Sequence, residues 1–209
     1  MPRKIDSRSA TTTRFGIPSA KNDGMIPVES TLEAAQALRL EFAPSVSAYE
    51  SQPQTFQVTH DGKVINATPD FKVYLYFDEI DFVEVKRARK VKQPPTAKRL
   101  DSIKDHLETL GFNYCVRTEK EIRSSNQVIH NCVYLNPYKW RSRDRVDELK
   151  NLVPKGPVTF LEWAEKIGDA QAVVEMMAHQ LVFSDFYQRL TSDTVIRPIQ
   201  DCDFAYMYA

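Results

Sequence analysis

A chain of 209 residues with 42% hydrophobic and 27% charged side chains is composed like an ordinary soluble globular protein, long enough for one domain plus a small second one. No apolar run approaches the roughly 18 residues that span a bilayer. The polar start, residues 1–22, lacks a signal peptide's apolar stretch, which points to the cytosol. The net charge of +0 is unevenly spread. Residues 86–99 carry Lys86, Arg87, Arg89, Lys90, Lys92, Lys98 and Arg99 and no acid, whereas beyond Pro157 eight carboxylates face Lys166, Arg189 and Arg197. A basic middle beside an acidic end suggests nucleic acid at one surface and a protein partner at another. The plain alternative for the basic run is a solvated loop. Cys115, Cys132 and Cys202 are odd in number and show no CxxC spacing, which argues against a disulfide framework and a zinc site. His60, His106, His130 and His179 show no paired ligand spacing either.

In chain order, residues 1–24 are rich in Ser, Thr, Arg and Lys and read as a flexible tail. A helix follows over 31–42, with Ser30 as N-cap, Leu32, Ala35, Leu38 and Phe42 on one side, and Pro44 as its stop. Residues 55–59 and 63–67 alternate in polarity about Asp61-Gly62 and read as a hairpin. Apolar runs at 71–77 and 80–85 read as two further strands, separated by Asp78 and Glu79. Pro94-Pro95 breaks the chain before a helix over 96–110 that Gly111 ends. A strand over 112–116 leads to a short helix capped by Thr118 with Glu121 three residues on. Residues 128–135 are apolar and fit strand or helix. After Pro137 the pattern shifts to short helical stretches broken by proline and glycine, so a domain boundary is expected near 137–155.

The chemistry-bearing residues lie in the paired strands. Along a strand from Phe82 to Lys86, side chains alternate, so Glu84 and Lys86 share one face while Val83 and Val85 turn to the other. A hairpin through Asp78-Glu79 brings Asp70, behind Thr68-Pro69, to the end of the 80–86 strand. Asp70, Glu84 and Lys86 then converge. Two carboxylates suit a hard divalent cation such as Mg²⁺, which keeps several waters. A bound cation polarises a phosphoryl oxygen and activates water, while a lysine orients that water and steadies developing charge. The Val85 carbonyl is a further candidate ligand. Glu33 offers another carboxylate, but Ser30-Thr31-Leu32-Glu33 is also a capping box, and both readings stand. Glu29 is a weaker substitute for either role. Arg87, Arg89, Lys90, Lys92, Lys98 and Arg99 are candidate phosphate contacts, which position a duplex without reading its sequence.

Asp70 with Glu84-Val85-Lys86 resembles the PD-(D/E)XK nuclease motif. More narrowly, the chain resembles TnsA, the endonuclease subunit of heteromeric cut-and-paste transposases. The ordered series is Ser30-Thr31-Leu32-Glu33, Tyr49-Glu50-Ser51-Gln52-Pro53, Thr68-Pro69-Asp70-Phe71, Val83-Glu84-Val85-Lys86 and Thr118-Glu119-Lys120-Glu121-Ile122, spanning about residues 28–136. The resemblance implies an α/β, restriction-endonuclease-like mixed sheet flanked by helices over 25–136. It matches 137–209 only loosely, to a small, mainly helical domain in which Thr194 to Arg197 would suit a β-wing of winged-helix type. It implies that Glu33, Asp70 and Lys86 are catalytic, with Glu84 as an additional metal ligand. Some family members carry glutamine where this chain has Glu84. Mg²⁺ is the implied cofactor, with Mn²⁺ able to substitute.

The same resemblance implies cleavage of the non-transferred strand at a transposon's 5′ ends, in the bacterial cytosol. The implied partners are double-stranded transposon-end DNA, a separate transposase subunit that handles the 3′ ends, and an ATPase regulator of transposition. No membrane is involved. The acidity of 137–209 fits docking to a basic protein partner. A stand-alone restriction or repair nuclease of the same fold is the alternative within the class, and a non-catalytic DNA-binding assembly module the alternative outside it.

Overall fold

The computed structural model describes residues 15–76 and 79–199. The chain divides into two compact units. The first takes in residues 15–17, 26–37 and 46–124, and the second 18–25, 38–45 and 125–199.

Strands β1 (Phe15–Ser19) and β2 (Gly24–Val28) form a two-stranded sheet. The tail expected over 1–24 is therefore corrected from residue 15 onward, while residues 1–14 lie outside the described part. The polar composition misled because Ser19 is wholly buried, where its hydroxyl bonds to the Glu41 carboxylate at 2.6 Å. Helix α1 (Thr31–Phe42) runs over the expected span. The Ser30 Oγ accepts the Glu33 N–H at 3.1 Å and so caps its first turn.

In the first unit the chain continues through β3 (Val46–Ser51), β4 (Phe56–His60), β5 (Lys63–Ala67), β6 (Phe71–Leu75) and β7 (Ile80–Val85). Then come α2 (Ala88–Val91), α3 (Pro94–Thr109), β8 (Asn113–Arg117) and α4 (Glu119–Ile122). The main sheet has the order β3-β6-β7-β8. Three strands are antiparallel, and β8 joins β7 in parallel because α3 carries the chain back across the sheet. β4 and β5 form a separate hairpin. Its turn residues Asp61 and Gly62 both have positive φ, 48° and 73°, as a two-residue hairpin loop of this hand requires.

Strand β3 has no counterpart in the pattern reading, since Val46–Ser51 is short and mixes apolar with polar letters. Helix α3 starts at Pro94, two residues earlier than expected. Prolines are tolerated there because the first helical N–H groups have no intrahelical partner. Phe82, Leu100, Ile103, Leu107, Tyr114, Val58 and Ala67 form one buried cluster on the α3 side of the sheet. Within it the Phe82 ring meets Phe56 and Phe112 edge-on, at 5.2 and 5.3 Å between centroids.

The second unit holds α5 (Asn126–Arg141), α6 (Val146–Lys150), β9 (Val158–Thr159), α7 (Phe160–Ile167), α8 (Ala170–Ala178), β10 (Val182–Phe183) and β11 (Val195–Pro198). The three strands pair antiparallel in the order β10-β11-β9, so Thr194–Arg197 borders and enters the middle strand of a small sheet. Residues 128–135 are helical, and α5 runs on through Pro137. The compact units consequently divide after Ser124, not at 137. A proline inside a helix removes a hydrogen bond at about 3 kcal/mol. Here buried Val128, Cys132 and Leu135 offset it, together with Asn131, Asn136 and Lys139, which bond to backbone carbonyls. Cys115 and Cys132 are unpaired thiols, and Cys202 lies outside the described residues. Among the described residues no helix is long and apolar enough to cross a membrane.

The second unit is organised about a buried charge. The Glu41 carboxylate is fully buried, takes the Ser19 hydroxyl, and lies 3.1 Å from the Lys139 ammonium. Lys139 also donates to the Glu41 carbonyl at 2.5 Å. Lys21 donates to the carbonyls of Leu40 and Ala43, at 3.0 and 2.5 Å, closing the C-terminal turn of α1 with an amine donor. Burial, and next the nearby Lys139 charge, push the Lys21 pKa down to about 6. Removing one member of a buried ion pair strands the other, at about 3–5 kcal/mol. Glu41→Ala is expected to lose stability on that scale in urea unfolding, and Glu41→Leu with Lys139→Met to recover most of it.

Candidate active site

Asp70 immediately precedes β6, and Phe71 pairs with Val83 across the β6–β7 ladder. Extending that register by one residue sets Asp70 opposite Glu84. The side chain completes the connection, because Asp70 Oδ2 accepts the Val85 N–H at 2.7 Å. Phe77 and Asp78 lie outside the described residues; Leu75 N–H bonds to the Glu79 carbonyl at 2.9 Å. Beyond β7 the Lys86 N–H donates to the Arg117 carbonyl at 3.0 Å, which continues the pairing with β8. Lys86 Nζ stands 2.5 Å from Glu84 Oε1, 3.7 Å from Asp70 Oδ2 and 3.5 Å from the Val85 carbonyl oxygen. Asp70, Glu84, Val85 and Lys86 are thus brought together. Glu84 is only 5% exposed, while the Lys86 side chain keeps 34% of its surface open, so the cluster has one accessible side.

Glu33 takes the capping role. Its Oε2 accepts the Glu29 N–H at 2.9 Å and its Oε1 the Ser30 hydroxyl at 2.7 Å, so both oxygens serve the start of α1. Its charge nevertheless reaches Asp70 and Lys86.

Burial is the main reason the Asp70 pKa rises to about 7, and the Glu84 carboxylate adds to it. The Lys86 charge and the Val85 N–H oppose that rise. Burial acts to lower the Lys86 pKa, but Asp70 and Glu84 outweigh it and the net shift is upward. Two carboxylates share one lysine, and the site lacks a positive charge.

The donors present suit a hard divalent cation. Asp70 and Glu84 offer carboxylate oxygens and Val85 a carbonyl, the oxygen set Mg²⁺ takes while keeping several waters. Among the described residues no three acidic, imidazole or thiol groups converge on a point, so any cation here relies on the carboxylate pair. Two sealed polar atoms belong to the same surroundings. Tyr114 Oη and Gln52 Oε1 bond to no described residue, a state that costs about 1–3 kcal/mol each. Gln52 has φ 45° although Pro53 follows, and its N–H is held by the Asp70 carbonyl at 2.8 Å. Neither residue carries a pattern that marks it from sequence. Tyr114 reads as a core aromatic of a strand, and Gln52 as the polar end of a motif.

The basic run is half helix. Arg87, Arg89, Lys90, Lys92 and Lys98 are exposed along α2 and the start of α3. The Glu119 carboxylate accepts the Ala88 N–H at 2.8 Å and pins α2 directly behind Lys86. Arg99 differs, being half-buried and donating to the Asn66 carbonyl at 3.1 Å.

Residues 43–119 match the family described as TnsA-like endonuclease N terminal. The matched stretch holds Asp70, Glu84, Val85, Lys86, Gln52, Tyr114 and all of the basic run, and it begins after Glu33. No curated protein matches the chain.

The folded chain binds the Asp70 proton more tightly than the unfolded chain, in which aspartate titrates near 3.8. Stability from this group is therefore complete below about pH 4 and is lost as pH rises toward about 7. In metal-free buffer, the wild-type urea midpoint should drop between about pH 5 and about pH 7.5, and that of Asp70→Asn should drop less. Equal drops would overturn the assignment.

Proposed function

We propose that the chain, which carries a TnsA-type endonuclease domain over residues 43–119, is the DNA-cutting subunit of a cut-and-paste transposase that severs the non-transferred strand at the element's 5′ ends. The observation that supports this reading best is the convergence of Asp70, Glu84 and Lys86 within the matched stretch, with exposed cations following directly behind them.

Asp70, Glu84 and the Val85 carbonyl would hold Mg²⁺, or Mn²⁺ in its place. When bound, the ion polarises the scissile phosphoryl oxygen and lowers the pKa of a bound water. Lys86, aimed by its contacts to Glu84 and Asp70, places an ammonium beside the reacting phosphate and steadies the charge that develops there. The Val85 N–H holds the Asp70 carboxylate in line, so its second oxygen keeps one direction. Glu33 acts at the margin, orienting water from the start of α1. Arg87, Arg89, Lys90, Lys92 and Lys98 grip the phosphates that flank the cut.

A separate transposase subunit handles the 3′ ends, and an ATPase regulator decides when the assembly fires. The stretch beyond Pro157, where carboxylates outnumber cations, is the surface that meets these proteins. An enzyme acting on such elements works in the bacterial cytosol.

With Mg²⁺, element-end DNA and the neighbouring transposase subunits, the purified chain should cut at the 5′ ends. Lys86→Ala should lower the cutting rate at least about 100-fold with partner binding intact. Cutting of unrelated DNA by the chain alone would indicate a stand-alone nuclease, and no cutting under any condition an assembly module.

A second measurement addresses the basic run. Each phosphate contact contributes about −0.9 to the slope of log K against log salt. The triple variant Arg89→Ala, Lys90→Ala, Lys92→Ala should flatten that slope by about 2–3, measured by fluorescence anisotropy. An unchanged slope would mark these cations as a solvated face.

A further inference from the structure

The Tyr114 hydroxyl has no assigned role, and its placement is unusual. Tyr114 pairs with Phe82 across the parallel β7–β8 ladder, and Val116 pairs with Glu84. Residues paired across a ladder share a face, as do residues two apart on one strand. Tyr114, Phe82, Val116 and Glu84 therefore stand on one side of the sheet. The Tyr114 ring belongs to the core cluster with Leu100, Ile103 and Leu107, and the residue is 7% exposed. Its Oη is sealed from solvent and meets no hydrogen-bond partner among the described residues.

Charge ties that oxygen to the site. Burial raises the Tyr114 pKa far above the ordinary tyrosine value, and the charges of Glu84 and Asp70 raise it further. The phenol thus remains a neutral O–H donor, on the same side of the sheet as Glu84 and not hydrogen-bonded to either carboxylate. A core that needed only the ring would be served by phenylalanine, which fills nearly the same volume without a stranded polar atom. A water between Oη and the carboxylate pair would satisfy the hydroxyl, and hydrated divalent cations bring such waters with them.

On the reading that Asp70 and Glu84 hold a divalent cation, we propose that Tyr114 is a positioning residue of the site, its hydroxyl donating to a water carried in with the cation and held against Glu84. The residue touches neither the scissile phosphate nor the carboxylates directly. It would act from the buried side of the carboxylate pair, where its own hydroxyl is sealed from solvent. Groups of this kind change metal affinity by about 10–100-fold when removed.

The test compares Tyr114→Phe with the wild type and with Asp70→Ala, without DNA. Mn²⁺ affinity is read by isothermal titration calorimetry, and thermal stability in EDTA by melting. Wild type should bind Mn²⁺ and Asp70→Ala should not. Tyr114→Phe should bind at least about 10-fold more weakly while melting in EDTA no lower than the wild type. Unchanged Mn²⁺ affinity in Tyr114→Phe beside a binding wild type overturns the inference and leaves the metal site standing. A lowered EDTA melting temperature also overturns it, by assigning the hydroxyl to the core. A wild type that binds no Mn²⁺ overturns the metal site and the inference together.

Discussion

The pairing of Phe71 with Val83 places the candidate chemistry. Because β6 and β7 run antiparallel in that register, the residue before one strand meets the residue near the end of the other. Asp70 and Glu84 thereby become neighbours, and the Val85 N–H has a carboxylate oxygen in front of it. A slip of one residue would turn Glu84 and Lys86 to the opposite face and put Val83 and Val85 in their place. Phe82 guards against that slip. Its ring is enclosed by Phe56 and Phe112, and burying such a side chain contributes about 1.5–3 kcal/mol.

The buried charge clusters around Glu41 and Asp70 differ in completeness. Around Glu41 the protein supplies a hydroxyl, an ammonium and close packing, and the carboxylate has no exposed surface. That arrangement joins the C-terminal end of α1, from Leu38 on, to α5 within the second unit. Around Asp70 the protein supplies two carboxylates for one lysine and leaves that lysine partly open. Burial, with the Glu84 charge adding to it, pushes the Asp70 pKa up to about 7. An arrangement of this kind favours an added positive charge, of which a proton is the simplest. Structural and functional burial of charge are thus separated by whether the protein finishes the set itself.

Glu33 shows how one side chain serves local and distant needs at once. The capping geometry orders the first turn of α1, and that order fixes where its carboxylate charge lies relative to Asp70 and Lys86. The family match over 43–119 leaves this helix out. Glu119 works similarly from the other direction. It sits in a short helix well after the basic run, yet its carboxylate fixes the first turn of α2 behind Lys86.

Several features could be read from the amino-acid order because they depend on near neighbours. Alternation along 82–86, the Asp61-Gly62 turn, the Ser30 and Thr118 caps and the span of α1 all arise within a few residues. The motif Asp70 with Glu84-Val85-Lys86 was equally visible, since its spacing is that of a hairpin. What only the folded chain decided depends on distant partners. Residues 15–24 look like a polar tail until Glu41 is placed beside Ser19, and Pro137 looks like a boundary until α5 is packed on both sides of it. β3 gains strand character from pairing with β6, and Tyr114 becomes a neighbour of Glu84 only when β8 settles beside β7. Local patterns carry turns, caps and faces, whereas burial, pairing and the electrostatics they create belong to the assembled whole.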